Sequence, residues 1–264
     1  MSKPREYQTE AIIIKKVKLG EADRILTLYT PHLGKIQGVA KSVRKTKSKL
    51  AGHLELLTHS QVSLARGRNI DTITGSQTID SFVPLKTDLW LSSCALYVIE
   101  MVAQFATEDM ENYPLFQLLL ETLLRLCQGV DSTLTLRFFE MHLLAETGFR
   151  PQLDECVSCH SALTPTTNYF APGAGGVLCP SCRHHQNLSY YAVSVDVLKV
   201  LRFLQRQDFD TVSRLKLPDE ISHDMEQVLR RYIRYLLERE VKSVAWLDSL
   251  KKEYPMTKTC PELV

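Results

Sequence analysis

The first eighty residues alternate between short apolar runs and turn residues, with the period of two that is typical of β-strands. Five such runs predict strands over residues 11–14, 24–30, 35–43, 59–65 and 71–79. The turn sequences at residues 31–34 and 66–69 predict hairpins between the second and third and between the fourth and fifth strands. Five antiparallel strands in so short a segment predict a small closed barrel of the OB type. An SH3-like barrel fits the pattern nearly as well.

After Pro84 the apolar period changes from two to 3.6, which predicts helices. Asp88 can cap a first helix, whose apolar stripe begins at Leu91. Pro114 fits the first turn of a second helix that ends at Gly129. Ser132 can cap a third helix, again followed by apolar residues at helical spacing.

The remaining helices are predicted in the same way. Gly148 and Pro151 end the third helix just before a segment with four cysteines. Beyond that segment, Ser194 can cap a helix that runs to about Gln207, and a last long helix follows Pro218. The apolar stripes of these helices indicate a helical core.

The predicted fold class is therefore α+β. An OB-type β-barrel is expected over residues 1–82 and an α-helical domain over residues 83–264, with a zinc-binding lobe inserted at residues 152–190. At 264 residues the chain is long enough for this division.

Four cysteines of the inserted lobe have the spacing of a zinc site. Cys156-Val-Ser-Cys159 and Cys179-Pro-Ser-Cys182 are separated by nineteen residues. Two such pairs can place four thiolates around one tetrahedral Zn²⁺, and sulfur then fills every position. The intervening sequence is rich in glycine and poor in core-forming residues. We therefore predict one structural Zn²⁺ per chain, which supplies the folding energy of the lobe.

Three other interpretations of these cysteines stay open. The pair Cys179-Pro-Ser-Cys182 alone resembles the redox motif of thioredoxin-like proteins. The sequence His53-Leu-Glu55 is superficially similar to one half of a zinc deaminase motif, although the proline that precedes the cysteine pair in that motif is missing. Any of His160, His184 and His185 could replace a cysteine as a metal ligand.

Composition narrows the class of protein. Hydrophobic residues make up 44% and charged residues 23% of the chain, as in ordinary globular proteins. No apolar run approaches the ~20 residues of a membrane span, and the N-terminus lacks the apolar core of a signal peptide. Cys94 and Cys127 fall within predicted helices, which agrees with a reducing compartment. We expect a cytoplasmic protein.

The charge is unevenly distributed along the chain. Through Asp80 there are fourteen basic and seven acidic residues, a net charge of +7, which leaves −5 for the rest of a chain whose total is +2. Five cations lie between Lys41 and Lys49, and a basic loop can follow the phosphates of a nucleic acid. We predict a nucleic-acid-binding surface made by Arg24, Lys35, Lys41, Arg44, Lys45, Lys47, Lys49, Arg66 and Arg68. Tyr29 is a candidate stacking residue.

Known catalytic motifs are missing from the sequence. It contains no P-loop, no dinucleotide-binding glycine motif, no nucleophile elbow and no carboxylate cluster with metal spacing. The chain is therefore predicted to be a binding protein with no small-molecule substrate, not an enzyme.

The order of basic barrel, helical domain and four-cysteine insertion resembles the bacterial DNA repair protein RecO family over essentially the whole chain. The stretches that carry the resemblance are Asp23-Arg-Ile-Leu-Thr-Leu-Tyr-Thr30 with Gly34 and Lys35, Val39-Ala-Lys41 with Arg44-Lys-Thr-Lys-Ser48, Leu136-Arg-Phe-Phe-Glu140 with Leu143, Leu144, Gly148 and Pro151, and the cysteines. Ser42 departs from the family pattern, which usually has glycine after the lysine.

The resemblance implies a recombination mediator without enzymatic activity that works at the bacterial nucleoid. Such proteins bind single- and double-stranded DNA, anneal complementary strands, and with RecR help to load RecA onto DNA coated by single-strand-binding protein. They also bind the acidic tail of single-strand-binding protein, and Arg137 with Phe138 is our hypothesis for part of that site. For this pair, the alternative is a surface arginine beside a core phenylalanine. In another class of function, a zinc-ribbon RNA-binding or transcription-associated module stays open.

Overall fold

The computed structural model describes residues 5–45, 48, 50–184 and 188–253. These residues form two compact units. Of the described residues, those up to Gln128 and those from Ala245 to Glu253 belong to the first unit, and those between Gly129 and Val244 belong to the second. The domain boundary between residues 82 and 83, inferred from the change of periodicity, stays a prediction. The compact unit that contains the barrel also contains the first three helices.

Five strands of the first unit close into a barrel. They are β1 (Glu6–Leu19), β2 (Asp23–Thr30), β3 (Gly34–Ala40), β4 (His59–Ala65) and β5 (Asp71–Asp80). Their order around the barrel is β1-β2-β3-β5-β4, and every pairing is antiparallel except the short parallel one between β3 and β5. The predicted OB-type barrel is confirmed.

β1 is much longer than the predicted strand because its two halves pair with different strands. Residues 6–12 pair with β4, and residues 12–19 pair with β2, with a bulge between Ile13 and Lys15. The charges at Lys15, Lys16 and Lys18 hide the apolar period of two in the second half. Inward-facing side chains from the strands and their loops form the core of the barrel: Ala11, Ile13, Leu26, Leu28, Ile36, Ala40, Val43, Leu54, Val62, Leu64 and Ile73.

Three helices complete the described part of the chain up to Gln128. They are α1 (Pro84–Thr87), α2 (Leu89–Phe105) and α3 (Tyr113–Cys127). The carboxylate of Asp88 accepts a 2.7 Å hydrogen bond from the backbone N–H of Leu91, so the predicted cap of α2 is confirmed. Asn112 caps α3, and Pro114 lies in its first turn as predicted.

In the second unit, α4 (Ser132–Glu146) precedes the cysteines. Its cap is Asp131 and not the predicted Ser132, because Asp131 Oδ1 accepts the N–H groups of Thr133 at 2.9 Å and Leu134 at 3.1 Å. Gly148, at a φ of 84°, ends the helix as predicted, since its left-handed backbone favours glycine.

The cysteine lobe, residues 152–193, contains a three-stranded sheet that the sequence did not predict. Its strands are β6 (Asn168–Ala171), β7 (Gly176–Leu178) and β8 (Tyr191–Val193), with β6 in the centre. Cys156, Ala171 and Leu178 form one buried cluster of the lobe. Leu153, Phe170, Val177 and Val193 are buried as well.

Four further helices follow the lobe. They are α5 (Val195–Arg206), α6 (Phe209–Val212), α7 (Asp219–Leu237) and α8 (Lys242–Glu253). Ser194 caps α5 and Pro218 precedes α7, both as predicted, whereas α8 shows that α7 is not the last helix. No helix of the described chain has the length and apolarity that a membrane span requires.

Candidate metal centre and nucleic-acid surface

The four predicted metal ligands come together in the cysteine lobe. The sulfur atoms of Cys156, Cys159, Cys179 and Cys182 all lie within 4.8 Å of one another. The sulfurs of Cys159 and Cys179 are 3.8 Å apart. Four sulfurs at the usual Zn–S distance of about 2.3 Å in a tetrahedron are about 3.8 Å apart, so the cluster fits a metal of this size and geometry.

Two turns, each supported by backbone hydrogen bonds, present the cysteines. The N–H of His160, a residue with a φ of 59°, donates to the carbonyl of Cys156 at 2.9 Å and closes the first turn. The second turn follows β7, and the N–H of Cys182 donates to the carbonyl of Cys179 at 3.1 Å. The N–H of Cys179 also donates to the sulfur of Cys156 at 3.3 Å, which joins the two turns.

These hydrogen bonds favour thiolates, the form that binds metals. Burial raises the pKa of Cys156, but the N–H groups of Cys159, Cys179 and Ser158 lower it to a net value below the ordinary one. The hydroxyl and the N–H of Ser161 lower the pKa of Cys159 to about 6. In contrast, hydrogen bonding with the side chains of Cys159 and Cys179 raises the pKa of Cys182 to about 12.

The redox interpretation finds no support in this geometry. No helix of the described chain begins at Cys179, which is followed by a turn, so the helix N-terminus that lowers the thiol pKa in thioredoxin-like sites is missing. A redox role for Cys179 and Cys182 alone would also leave unexplained why Cys156 and Cys159 lie in the same cluster.

The alternative histidine ligands and the deaminase motif are not supported either. His160 Nδ1 lies 3.6 Å from Glu155, and His184 accepts a hydrogen bond from Arg183, while His185 lies outside the described residues. In the barrel unit, His53 Nδ1 is 2.8 Å from the hydroxyl of Thr78.

The turn after β3 brings together three of the predicted basic residues. Lys41, Arg44 and Lys45 are exposed, and we call them the basic turn. The backbone N–H of Arg44 donates to the carbonyl of Ala22 at 3.0 Å, and its guanidinium donates to the carbonyl of Gly20 at 3.3 Å. The basic turn is therefore fixed to the tip of the β1–β2 hairpin.

Ser42 takes the conformation that explains the glycine of the family pattern. Its φ is 53°, in the left-handed region, and its N–H donates to the carboxylate of Asp23 at 2.7 Å. The N–H of Lys45 closes the turn onto the carbonyl of Ser42 at 3.1 Å. The turn thus keeps its shape despite the strain of a side chain at this position.

The strand register places further cations beside the basic turn. Arg24 pairs with Lys18 on one side and with Ala40, the residue before the basic turn, on the other. Glu55 forms ion pairs with both Lys16 and Arg24, so part of the charge is neutralised. Lys15, Lys16 and Lys18 contribute to the predicted net charge but were not predicted as site residues. The pairing of Lys18 with Arg24 is a contact between strands that the apolar pattern of the sequence does not reveal.

The other predicted basic residues do not join this group. Arg66 and Arg68 are exposed just after β4, whose last residue, Ala65, pairs with Glu6 of β1 and with Thr72 of β5. The ammonium of Lys35 donates to the carbonyl of Ala103 in the last turn of α2 at 3.0 Å. Lys47 and Lys49 lie outside the described residues.

A groove of about 830 Å³ is lined by Lys35 and Arg66, among other residues. Its lining includes four carboxylates, those of Asp71, Glu108, Asp109 and Glu111. Tyr7 donates a 2.6 Å hydrogen bond to Asp71, and burial raises its pKa above the ordinary value. Lys35 and Arg66 also line the groove, but the carboxylates outnumber these two cations, in contrast to the surface around the basic turn.

Three of the predicted contact residues, Tyr29, Arg137 and Phe138, are buried. Tyr29 is fully buried and its ring lies 6.3 Å from that of Phe116, so it is not available for stacking on a base. Arg137 is 5% exposed and forms ion pairs with Glu140 at 2.6 Å and Glu226 at 3.6 Å.

Phe138 is also buried, with its ring centroid 5.2 Å from that of Phe209. The burial of Arg137 and Phe138 argues against the hypothesis that this pair receives a peptide tail, because such a site needs an accessible cation beside an accessible apolar surface. The alternative, a surface arginine beside a core phenylalanine, is correct for Phe138 and wrong for Arg137, which is buried.

Comparison with known proteins gives matches over nearly the whole chain. The models "Recombination protein O N terminal" and "Recombination protein O C terminal" match residues 1–82 and 86–245. A DNA repair protein RecO from Dehalococcoides mccartyi is 53% identical over 251 residues, which cover 95% of this chain and 98% of that protein. Another from Roseiflexus sp. is 43% identical over 248 residues, or 94% and 87% of the two chains. One from Desulforamulus reducens is 33% identical over 248 residues, or 93% and 95%.

Proposed function

Because the chain belongs to the recombination protein O family of DNA repair proteins, we propose that it binds single- and double-stranded DNA and anneals complementary strands. We further propose that, together with RecR, it helps to load RecA onto DNA coated by single-strand-binding protein. In this proposal it acts at the nucleoid by stoichiometric contact and not as an enzyme.

The observation that carries the DNA-binding part is the exposed basic turn on a rigid barrel. Lys41, Arg44 and Lys45 project from a turn that backbone hydrogen bonds attach to the β1–β2 hairpin. Cations held this way can contact successive phosphates without a large loss of conformational entropy. Each contact releases condensed counterions, which drives binding and makes the affinity depend on salt.

Annealing follows from the same contacts. Two complementary strands repel each other through their phosphates, and a cationic surface that holds both lowers that repulsion. Base pairing then supplies the free energy, so the protein needs neither a nucleotide cofactor nor a catalytic residue.

In the cysteine lobe, we propose that the bound metal is one structural Zn²⁺. The four sulfur donors and their spacing support zinc, which prefers this ligand set and geometry. The cation would stabilise the lobe and perform no chemistry, because the protein itself fills every coordination position.

The test is a salt series with the triple variant Lys41→Ala, Arg44→Ala and Lys45→Ala. Affinity for a labelled single strand and for a duplex of the same length is measured at increasing salt, together with the rate of strand annealing. We expect weaker binding and a log–log salt slope that is smaller in magnitude by about 2 to 3, since each lost phosphate contact contributes about 0.7 to 0.9.

The matched control removes three exposed cations of the second unit, with the substitutions Lys199→Ala, Arg214→Ala and Lys216→Ala. It has the same net charge as the test variant, so equal effects of both variants would show a general charge effect and contradict the assignment. A clear preference for structured RNA without strand annealing would favour an RNA-binding module instead.

The partners single-strand-binding protein and RecR belong to the proposal through the family. Since Arg137 and Phe138 are buried, we assign no residues to the contact with the tail of single-strand-binding protein. Pull-down of the purified partners by this chain, with the tail deleted in one arm, tests both interactions.

A further inference from the structure

The second half of β1 presents aliphatic side chains to solvent on one face. Antiparallel pairing places Val17 opposite Ile25 and Leu19 opposite Asp23, and residues directly opposite point to the same side. Val17 is 46% exposed and Leu19 is 41% exposed, while Ile25 is half-buried. We call Val17, Leu19 and Ile25 the aliphatic strip.

The register shows that this strip is on the outer face of the barrel. The neighbouring pairs, Lys16 with Leu26 and Lys18 with Arg24, point the other way, and Leu26 belongs to the barrel core. Exposed aliphatic side chains that share their face with Lys15 and lie near the basic turn fit a ligand that is both apolar and anionic.

Cations and one carboxylate surround the aliphatic strip. Lys15 lies two residues before Val17 on the same face, and Ile25 pairs with Val39, two residues before Lys41. Asp23 lies at the edge of the strip, but its carboxylate accepts the N–H of Ser42 at 2.7 Å. The surface therefore combines positive charge with aliphatic area, whereas carboxylates outnumber lysine and arginine in the groove lined by Lys35 and Arg66.

We propose that the aliphatic strip packs against unstacked bases of single-stranded DNA while Lys15 and the basic turn hold its phosphates. This inference rests on the proposed DNA binding and adds the groups that distinguish a single strand from a duplex. A duplex conceals the faces of its bases in the stack, whereas a single strand can turn them toward the protein. Aliphatic side chains contact any base, so the strip would have little sequence preference and would release a strand readily for pairing.

The two contributions differ in their response to salt. Phosphate contacts determine the slope of affinity against salt, because they displace counterions. Contacts between aliphatic groups and bases remove apolar surface from water and change the affinity without changing that slope.

The experiment compares wild type with the double variant Val17→Thr and Leu19→Thr, which keeps strand-forming residues at both positions. Three probes of equal length are used: a dT oligonucleotide, a strand of the same phosphates without bases, and a duplex. We expect the variant to bind the dT strand about fivefold more weakly, as the loss of exposed aliphatic area predicts, with an unchanged salt slope. Binding to the abasic strand and to the duplex should stay within about twofold of wild type.

Two further variants serve as controls. The double variant Val17→Ile and Leu19→Ile retains the aliphatic surface and should bind dT like wild type. The double variant Ile79→Thr and Val83→Thr removes exposed aliphatic groups elsewhere in the unit, where the side chains are 54% and 58% exposed, and should also bind normally.

Equal weakening for all three probes, or no weakening for dT, overturns the role of the aliphatic strip. If the basic-turn variant still reduces the salt slope in that case, the proposed DNA binding stands without it. If wild type fails to bind any of the probes at low salt, both proposals are overturned.

Discussion

The barrel and the cysteine lobe use their functional side chains in opposite ways. In the barrel, a continuous apolar core determines the fold, and the basic turn is exposed at one end of it. In the lobe, a buried cluster of three residues includes Cys156, which is itself a candidate metal ligand. The cations of the barrel can therefore be replaced with little effect on folding, whereas the cysteines of the lobe are part of what holds it together.

The barrel and the cysteine lobe also differ in net charge. The chain through Asp80 has a net charge of +7, whereas residues 152–193 contain Asp154 and Glu155 against Arg183 alone among Asp, Glu, Lys and Arg. Four thiolates around one Zn²⁺ would add a net charge of about −2. The lobe thus lacks the charge that holds phosphates, and we expect damage to it to change stability first and DNA binding only afterwards.

The largest effect is expected for the Cys159→Ser variant. Substitution of an exposed residue is usually almost neutral, so a large effect would show that the sulfur binds a metal. We expect a zinc content below one ion per chain and a Tm lower by about 10 °C or more, because structural zinc contributes much of the folding free energy of such a lobe. Metal analysis and thermal unfolding measure both.

Cys127→Ser is the control for this experiment, since Cys127 lies outside the cluster. It should retain the full zinc content. A Cys159→Ser variant with normal zinc content and normal Tm would remove the contrast between lobe and barrel.

An intermediate effect is expected for Lys35→Met. The ammonium of Lys35 satisfies a carbonyl of the last turn of α2, so the charged hydrogen bond is lost while the apolar part of the side chain is retained. We expect the free energy of unfolding to fall by about 1–2 kcal/mol, with an unchanged salt slope of DNA binding. Urea denaturation and the salt series are the measurements.

Lys41→Met should give the reverse pattern, with normal stability and a smaller salt slope, because Lys41 is exposed in the basic turn. If Lys35→Met reduced the salt slope as much as Lys41→Met, Lys35 would belong to the DNA-binding surface as the sequence predicted.

The smallest effect is expected for Ser42→Gly. Because glycine accepts a φ of 53° without steric strain, the substitution should increase the free energy of unfolding by about 0.5–1 kcal/mol. Chemical denaturation detects a change of this size. DNA binding should be retained, since the charges of the basic turn are unaltered.

Ser213→Gly is the matched control, at a right-handed φ of −60°. There glycine should lower the stability by about 0.5–1 kcal/mol, because it adds conformational freedom to the unfolded chain. Stabilisation at both positions would show that the left-handed conformation of Ser42 is not the cause.

Local signals in the sequence predicted much of the fold. Asp88, Pro114, Ser194 and Pro218 marked helix starts because capping depends on residues close in sequence. The four cysteines predicted their own cluster, since the ligand spacing of zinc is a local pattern with a geometric cause. Ser42 was recognised as a departure, and its left-handed backbone gives the reason.

Features that depend on distant partners were missed. Arg137 was assigned to the surface or to a peptide site, but it is buried because Glu226, far away in sequence, supplies a second carboxylate. The second half of β1 was not predicted, because its lysines interrupt the apolar alternation and only the pairing with β2 identifies it as a strand. Tyr29 was predicted to stack on bases, yet Phe116 of α3 covers its ring.

The pairing of β1 with both β2 and β4 affects the order in which the barrel assembles. Its pairing with β2 joins neighbours in the sequence, so this hairpin can form early at a small cost in chain entropy. Its pairing with β4 joins Glu6 to Ala65 and closes a loop of some sixty residues, a contact that forms slowly. The nascent chain would therefore display the β1–β2 hairpin, to which the basic turn later attaches, before the ring of strands is complete.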